Sequence, residues 1–497
     1  MAKNTEYDLV VIGAGINGLG IARDAIGQGL SVLVLDRGDI AGQTSSCSSK
    51  LIHGGLRYLE QYEFSLVAKA LKEREVLMKM APHIIWPMRF VLPHAKHLRP
   101  KFLIRIGMFL YDALGGLRNL AASTTVNLNT HKYGHGITNH SGTGFVYSDC
   151  WVQDARLCVS NAMDIVARGG MVKSYTECTG AIRKAKYWDV TYQDVKNKRK
   201  KTVTAKMIVN ASGANVMGVL ENVLNQKTQY GIRAIKGSHI VVKKIFKGDQ
   251  SYILQVEDGR IVFAIPYEND YTLIGTTDIE VDSSTFSPKI SAEEADYLCE
   301  LTNVYFKKKI SKKDVVWDYA GIRPLYDDNS TSAQKITRDY VFELDTIKAP
   351  ILSIFGGKIT TYRKLSESAM EKIGECFGFT PKSWTGTLPL VGGDIDDINV
   401  FKKQIHKQYK WLDKTIIDRF IKHYGTALRT ILKGATSTAD LGKQIAKGVY
   451  EAELKYVQKN EFVKYGEDYL YRRTKMVLHL SPKDKKAVCA YIEGIKI

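Results

Sequence analysis

Cysteines are few and scattered in this sequence. The 497 residues include seven of them, and no two form a CxxC pair. They stand at Cys47, Cys150, Cys158, Cys178, Cys299, Cys376 and Cys489. This distribution argues against a zinc cage of paired cysteines and against a disulfide framework, so we expect a reducing compartment.

Long apolar runs are also lacking. No run approaches the roughly 18 apolar residues of a membrane-spanning helix. Residues 1–7 are polar and lead directly into a short apolar run, which leaves no room for a secretory signal peptide. We therefore expect any membrane contact to be peripheral.

Acidic residues are outnumbered by basic ones. The sequence has 52 Asp and Glu against 71 Lys and Arg, a formal net charge of +19. An acidic partner is indicated, which could be a phosphorylated substrate, an anionic membrane or nucleic acid. The sequence contains no RNP-like aromatic motif, helix-turn-helix or zinc finger, so no nucleic-acid partner is predicted. The pairs His94 and His97, and His131 and His135, lack acids or cysteines at zinc spacing, so no metal site is predicted.

The first part of the chain carries a dinucleotide-binding pattern. An apolar β-branched run, YDLVVI, leads into GAGING at residues 13–18, and a second apolar run ends at Asp36. In such a GxGxxG turn Gly13 permits the tight turn, Gly15 lets the backbone approach a pyrophosphate, and Gly18 lets the helix pack on the strand. The helix N-terminus offers N–H groups to phosphates, and Asp36 can accept hydrogen bonds from ribose hydroxyls. The alternative is a glycine turn in an ordinary βαβ unit.

Two later segments repeat the order of strand, glycine turn and helix. KMIV at residues 206–209 leads into NASGA, and ILSIF at residues 351–355 leads into GGKITTYR. The nucleotide-binding sheet is therefore predicted to be assembled from separated segments. The small-residue loop at residues 42–50 suits a second contact with the cofactor, although a surface loop would have the same composition.

The remaining segments indicate a second sheet and several helices. Residues 238–242, 261–265 and 271–274 are predicted strands of a mainly antiparallel sheet, and residues 188–203 a hairpin. Residues 63–80 and 291–304 have helical spacing. In residues 97–120 bulky apolar groups alternate with cations, which is typical of a helix at an anionic bilayer surface or of a helix facing a core. Past residue 390 the pattern changes to helices without a GxG turn, which marks a helical C-terminal domain.

At this point the motifs resemble a known family. GAGINGLGIARDA, SSKLIHGGLRYLE, EREVLMKMAPH, YSDCWVQDARL, IKGSHIVV, LIGTTDIE, AGIRPL, FGGKITTYRKL, AELKY and YLYRRTKM occur in order. Together they are similar to the FAD-dependent, quinone-linked glycerol-3-phosphate dehydrogenases of aerobic bacteria. The resemblance implies an α/β fold with a Rossmann-like FAD-binding domain assembled from separated segments, an antiparallel-sheet substrate domain and a helical C-terminal domain. The implied body is residues 1–390, with FAD-binding segments near 1–75, 145–230 and 345–378, substrate segments near 76–144 and 231–344, and a C-terminal domain at 391–497.

The resemblance also implies a reaction and its residues. Hydride would pass from C2 of sn-glycerol 3-phosphate to FAD, giving dihydroxyacetone phosphate, and electrons would pass to membrane quinone. Arg323 and Arg338 match the family's phosphate-binding arginines, and Arg57 and Tyr58 match residues that line the substrate pocket. Lys358 matches a cation near the reacting oxygen. His53 is the candidate base because imidazole can be neutral and accepting at pH 7, and Lys358 is the rival base. The expected cofactor-binding residues are Gly13, Gly15, Asn17, Gly18, Asp36, Ser45, Ser49, Lys50, Gly213, Gly357, Lys358, Thr360 and Thr361.

Several alternatives stay open at the sequence level. A glycerophosphate oxidase would use dioxygen in place of quinone, and an amine or amino-acid oxidase would share the fold with less need for paired arginines. A disulfide-containing flavoenzyme is disfavoured because only Cys47 lies near the first turn. The resemblance places the protein at the cytoplasmic face of the inner membrane, or in the cytoplasm, and is compatible with a homodimer.

Overall fold

The computed structural model describes residues 5–116, 120–255, 260–327 and 340–494. Within these ranges the strands are β1 (Glu6–Ile12), β2 (Val32–Leu35), β3 (Leu51–Ile52), β4 (Ile85–Pro93), β5 (Thr124–Asn127), β6 (Thr143–Val152), β7 (Met171–Lys173), β8 (Thr176–Arg183), β9 (Trp188–Asp194), β10 (Lys200–Asn210), β11 (Ile232–Lys243), β12 (Ser251–Gln255), β13 (Ile261–Tyr267), β14 (Tyr271–Gly275), β15 (Ile279–Val281), β16 (Val315–Tyr326), β17 (Tyr340–Asp345), β18 (Ile351–Gly356), β19 (Gln444–Ala446) and β20 (Val449–Tyr450). The α-helices are α1 (Ile16–Gly27), α2 (Phe64–Met80), α3 (Lys101–Gly115), α4 (Asp154–Ala167), α5 (Val216–Asn222), α6 (Ala292–Tyr305), α7 (Tyr362–Phe377), α8 (Ile398–Gln408), α9 (Lys414–Tyr424), α10 (Leu428–Ile431), α11 (Glu451–Asn460) and α12 (Pro482–Glu493).

The first sheet is built around β1, whose residues Leu9, Val10 and Val11 are fully buried. Its strand order is β17-β18-β10-β1-β2-β7, and the hairpin β8-β9 joins it beside β10. Strands β18, β10, β1, β2 and β7 run parallel, whereas β17 is antiparallel to β18. Three strands far apart in the sequence, β1, β10 and β18, lie side by side, and each leads through a glycine turn into a helix. The assembly from separated segments that the sequence predicts is confirmed.

The helices that follow β1 and β18 cover one face of this sheet. α1 packs against α4 and α7, and the shared core includes Leu19, Ala22, Leu365 and Ala369. The hairpin β8-β9 and α5 pack on the other face. The carboxyl ends of β1, β10 and β18 therefore open at one edge of the sheet, where parallel α/β sheets bind their ligands.

The second sheet is mainly antiparallel, as expected. Its order is β15-β11-β14-β13-β12-β4-β6-β3, with β16 paired to β11 and β5 to β6. One pair, β12 and β4, is parallel. α6 packs on one face, and α2 and α3 pack on the other. Strands β3 and β6 belong to this sheet, although the approximate boundaries above counted most of their residues with the FAD-binding segments.

Helices α8 to α12 and the hairpin β19-β20 enclose a separate core that runs from Phe401 to Ile492. This part of the chain is attached to the first sheet through buried ion pairs. Arg473 donates to both oxygens of Asp39, at 2.7 and 2.8 Å, and Arg156 donates to Glu461. The predicted helical C-terminal region is thus present, while the domain boundary at residue 390 stays a prediction. Among the described residues no helix combines the length and apolar character needed to cross a bilayer.

Candidate active site

The turn between β1 and α1 has no room for side chains at two of its glycines. A Cβ atom on Gly13, whose φ is +108°, would lie 2.5 Å from the carbonyl oxygen of Ala211. A Cβ atom on Gly18 would lie 2.1 Å from the carbonyl oxygen of Gly13. The first contact presses the turn against the end of β10, and the second presses α1 onto the turn. Both glycines are therefore required by the local backbone.

The N-terminus of α1 opens into a cleft bordered by the loop at residues 41–48. The Ile16 N–H donates to Ser45 Oγ at 3.0 Å, which ties this loop to the first turn of the helix. Gly15 precedes the helix in an extended conformation and lines the same cleft. Backbone donors at a helix N-terminus suit the pyrophosphate of a dinucleotide.

Asp36 lies at the end of β2 and lines the cleft. Its carboxylate accepts hydrogen bonds from the N–H groups of Ala14, at 2.7 Å, and Gly38, at 2.8 Å. Burial raises the pKa of Asp36, and these two hydrogen bonds oppose the rise. The two bonds fix the carboxylate, whose remaining lone pairs can accept from ribose hydroxyls.

The cleft encloses about 1410 Å³ of empty space, including its open mouth. Its walls come from the first turn, the loop at 41–48, residues 211–215 and the turn after β18, and they include Gly213 and Gly357. The side chain of Asn17 spans two of these walls, since its Nδ2 donates to the carbonyl of Gly356 at 3.1 Å. Its buried Oδ1 has no partner among the described residues. A polar ligand that supplied a donor there would satisfy this atom, so the walls fit a dinucleotide such as FAD.

Two predicted cofactor residues have their side chains engaged elsewhere. The Lys50 ammonium is fully buried and forms an ion pair with Asp154 at 2.9 Å. Ser49 Oγ shares a hydrogen bond of 2.9 Å with Nε2 of His239. Neither residue is among those that line the cleft, unlike Ser45 and Ser48. Lys50 therefore braces the cofactor loop from behind, and a direct cofactor contact for Ser49 or Lys50 stays a prediction.

The loop at residues 53–58 meets the turn after β18. The His53 N–H donates to Thr360 Oγ1 at 3.3 Å, and Lys358 Nζ lies 4.3 Å from the centre of the Tyr58 ring. The structure thus brings His53, Tyr58, Lys358 and Thr360 together, as the sequence predicts. Thr361 is buried in the same short turn, Ile359–Thr361. The side chain of Arg57 and the whole of Arg338 lie outside the described residues.

Arg323 lies on β16, and its guanidinium is held by neighbouring strand ends. It forms an ion pair with Asp278 and donates to Thr276 Oγ1 at 2.8 Å. The side chain is 27% exposed. A Cβ atom on Gly237 would lie 2.5 Å from the guanidinium, so the absence of a side chain at Gly237 makes room for the guanidinium. Arg323 is therefore a fixed and partly accessible cation, which suits recognition of a phosphate.

His239 is a candidate site residue that the sequence analysis missed. Its ring stacks on Tyr319 with a centroid distance of 4.8 Å and shares the hydrogen bond with Ser49. Burial, with the positive charges of Arg323 and Lys50, holds its pKa well below the usual range, so the imidazole is neutral. The motif IKGSHIVV marked this segment only as a strand. The surroundings of this histidine are formed by residues from distant segments of the chain, so the local sequence gives no indication of its role.

No group of three or more potential ligands that could hold a metal ion occurs in the described ranges. The seven cysteines are all unpaired.

Comparison with known proteins identifies relatives of this architecture. Residues 8–363 match the family model described as FAD dependent oxidoreductase, and residues 383–494 match the C-terminal domain of alpha-glycerophosphate oxidase. The chain is 46% identical to the aerobic glycerol-3-phosphate dehydrogenase of Escherichia coli K12, with 98% of this chain and 97% of that protein covered. It is 42% identical to the D-erythritol 1-phosphate dehydrogenase of Brucella abortus, with full coverage of both. The solved structure of the glycerol-3-phosphate dehydrogenase from Bacillus halodurans complexed with FAD has a TM-score of 0.80 and 26% identity, and the match covers 100% of this chain and 92% of that one.

Proposed function

Because this chain belongs to the FAD-dependent oxidoreductases of the glycerol-3-phosphate dehydrogenase type, with FAD as its cofactor, we propose that it oxidises sn-glycerol 3-phosphate to dihydroxyacetone phosphate and passes the electrons to membrane quinone. FAD, when bound, accepts the hydride from C2. The observation that supports the proposal is the junction of the loop at 53–58 with the turn after β18, where His53, Tyr58 and Lys358 lie next to Gly357 and Ile359, which line the cleft.

The residues of the protein have separate roles in the rest of the reaction. The guanidinium of Arg323 binds the substrate phosphate, together with Arg338, whose position lies outside the described residues. The hydroxyl proton at C2 passes to an imidazole nitrogen of His53 as the hydride leaves carbon. The ammonium of Lys358 stabilises the negative charge that develops on the reacting oxygen. Arg57 and Tyr58 complete the pocket around the carbon chain.

Lys358 is the rival base, and a substitution separates the two. His53→Asn keeps a polar side chain of similar reach but removes the basic nitrogen. We expect it to slow anaerobic reduction of the flavin by about 100-fold or more, the usual contribution of a general base, while FAD stays bound. A normal reduction rate in this variant would assign the proton to Lys358.

Peripheral membrane attachment through α3 is the second part of the proposal. Phe102, Ile106 and Phe109 are exposed by 64%, 52% and 62%, although they sit on an amphipathic helix. The cations Lys101 and Arg105 lie beside them on the same helix, and the whole chain carries a net charge of +19. An apolar face bordered by cations fits an anionic bilayer surface. We assign this surface to the cytoplasmic face of the inner membrane, where quinone is available.

The acceptor is tested by separating reduction from reoxidation. After glycerol 3-phosphate has reduced the flavin anaerobically, the protein is mixed with a soluble quinone or with air-saturated buffer. Fast reoxidation by quinone and slow reoxidation by dioxygen would support the proposal. Fast reoxidation by dioxygen with one peroxide per turnover would instead support a glycerophosphate oxidase, the function named for the family of residues 383–494.

The relative that is named D-erythritol 1-phosphate dehydrogenase raises a second candidate substrate. Both substrates present a secondary alcohol next to a phosphorylated carbon chain, so the same phosphate clamp would serve either. Comparing kcat/KM for glycerol 3-phosphate and erythritol 1-phosphate decides between them. A value for glycerol 3-phosphate at least as high as that for erythritol 1-phosphate is expected.

A further inference from the structure

A buried hydroxyl joins α3 to the loop that carries His53. Tyr111 lies on the inner side of α3 and is 2% exposed. Its hydroxyl accepts a hydrogen bond from the Gly54 N–H at 2.8 Å and donates to the carboxylate of Asp149, also at 2.8 Å. Asp149 is held in turn by Arg74 Nη1 at 2.9 Å. These hydrogen bonds form a continuous chain from Arg74 through Asp149 and Tyr111 to Gly54. The chain ends at the backbone directly beside His53.

The loop approaches its neighbours closely at Gly54, so a side chain at this position would require Tyr111 and Leu71 to shift. A Cβ atom there would lie 2.7 Å from the Tyr111 hydroxyl and 2.6 Å from a methyl group of Leu71. The Gly54 amide therefore faces the hydroxyl in a buried hydrogen bond. On the other side of the loop, His53 is held by Thr360. The loop is thus fixed between α3 and the turn after β18.

We propose that Tyr111 is a positioning residue for the oxidation: its hydroxyl holds Gly54, and through Gly54 it sets the place of His53 and Tyr58 relative to the turn that carries Lys358. The proposal rests on the proposed function, because it assigns a role in the same reaction. Tyr111 does not touch the cleft, and it acts through the loop backbone.

The physical reason lies in the hydrogen-bond balance of the core. Without the Tyr111 hydroxyl, the buried Gly54 N–H would lose its 2.8 Å acceptor and keep only the nearby Asp149 carboxylate, and poorly satisfied buried donors are disfavoured. The loop can relieve this only by moving toward that carboxylate, and that movement displaces His53. A displacement of about 1 Å in a reacting group costs about 100-fold in rate in unfavourable cases.

The test is anaerobic reduction of the flavin by glycerol 3-phosphate in Tyr111→Phe, followed in a stopped-flow instrument at saturating substrate. The phenyl ring keeps the packing of Tyr111 and only the hydroxyl is lost. We expect the limiting rate to fall by about 10- to 100-fold, with full FAD content. The matched control is Tyr147→Phe, because Tyr147 packs edge-on against Tyr111 at 5.7 Å in the same core and does not hold Gly54. Its limiting rate is expected to stay within about two-fold of wild type.

Thermal unfolding of both variants separates positioning from general stability. A purely structural role for Tyr111 would lower the unfolding temperature and leave the reduction rate of the folded protein unchanged, and this outcome would overturn the proposal. If Tyr111→Phe does not fold, Asp149→Asn, which alters the group that orients the hydroxyl, takes its place with the same expected and opposing results. A wild-type protein that no polyol phosphate reduces would overturn the proposed function, and the positioning role with it.

Discussion

Gly13 and Gly18 of the first turn tolerate no added atom, because backbone occupies the space around them. The Cβ of an alanine at position 18 would lie 2.1 Å from the Gly13 carbonyl oxygen, and backbone cannot move aside as a flexible side chain can. α1 would have to lift away from β1, and its N-terminal N–H groups would leave the cofactor phosphates.

We therefore predict that Gly18→Ala is purified with little or no FAD. Flavin absorbance per protein is the measurement, and Gly107→Ala is the matched control. Gly107 lies on α3, where an added Cβ atom would meet nothing within 4 Å, so this variant is expected to keep its FAD. Full flavin occupancy in Gly18→Ala would contradict the role given to the turn.

In the proposed function, Arg323 is the described residue that binds the substrate phosphate. Hydrogen bonds to a charged partner contribute about 1.5–3 kcal/mol, which corresponds to about 10- to 100-fold in affinity. We predict that Arg323→Ala raises KM for glycerol 3-phosphate by this factor and leaves FAD bound. Arg233→Ala is the control, because Arg233 also pairs with a carboxylate from a neighbouring strand, Glu280. An unchanged KM in Arg323→Ala would show that the clamp is misassigned.

Among single residues, the sequence predicted those whose role depends on the local backbone conformation. It did not predict contacts between residues that are far apart in the chain. The glycine turn can be predicted from the sequence because the spacing of its glycines alone indicates its conformation. A cofactor contact for Lys50 stays a prediction, and the ion-pair partner that the structure shows for it, Asp154 at the start of α4, was not predicted. His239 was missed for the same reason, since Ser49, Tyr319 and Arg323 converge on it only in the folded chain.

Helix α3 has one buried side and one exposed apolar side. Only Met108 and Tyr111 of its residues are buried, while Phe102, Ile106 and Phe109 are more than half exposed. The sequence left open whether these apolar groups face a core or a bilayer. Helical spacing predicts that α3 has an apolar stripe. Only the folded chain shows that part of this stripe packs against the core and that the rest is exposed.

We predict that replacing Phe102 and Phe109 by serine weakens pelleting with anionic liposomes. Each exposed phenyl ring that enters the bilayer contributes about 1.5–3 kcal/mol at most, so a loss of at least 10-fold in partitioning is expected for the pair. Ile182→Ser with Val400→Ser is the control, because these residues are equally exposed, at 61% and 51%, on other elements. Flavin reduction by substrate should be unchanged in both proteins, and equal pelleting of the two would contradict the assignment of α3.

On the scale of the whole molecule, the C-terminal helices are locked onto the nucleotide-binding body by buried polar groups. His83 lies at this junction, 3% exposed, against Gly392 and Gly425. Burial, followed by the charge of Arg156, lowers its pKa to about 3. The folded chain therefore keeps this imidazole neutral, whereas the unfolded chain binds a proton below about pH 6.5.

The sign of the pH effect follows from this difference. The contribution of His83 to the free energy of unfolding is complete above about pH 6.5. It is lost as the pH falls toward the pKa of the folded state, by at most about 1.4 kcal/mol per pH unit. We predict that the urea midpoint of the wild type falls relative to that of His83→Leu between pH 7.5 and 5.5. A difference between the two proteins that does not change with pH would show that His83 does not carry this sensitivity.

The overall architecture was predictable because its signals repeat. Three strand-glycine-helix segments imply one parallel sheet, and alternating runs imply an antiparallel one. The assignment of β3 and β6 to the second sheet was not predictable, because register between distant strands is set by pairing and not by local sequence. The resemblance supplied the cofactor and the reaction type, which fold alone would not have given.

The proposed function requires that glycerol 3-phosphate reduces the flavin of this protein. The most direct measurement is the visible spectrum of the purified protein before and after anaerobic addition of sn-glycerol 3-phosphate, with glycerol and amino acids as controls. The oxidised-flavin absorbance is expected to disappear with glycerol 3-phosphate and to remain with the controls. A yellow protein that stays yellow with glycerol 3-phosphate would contradict the proposed function.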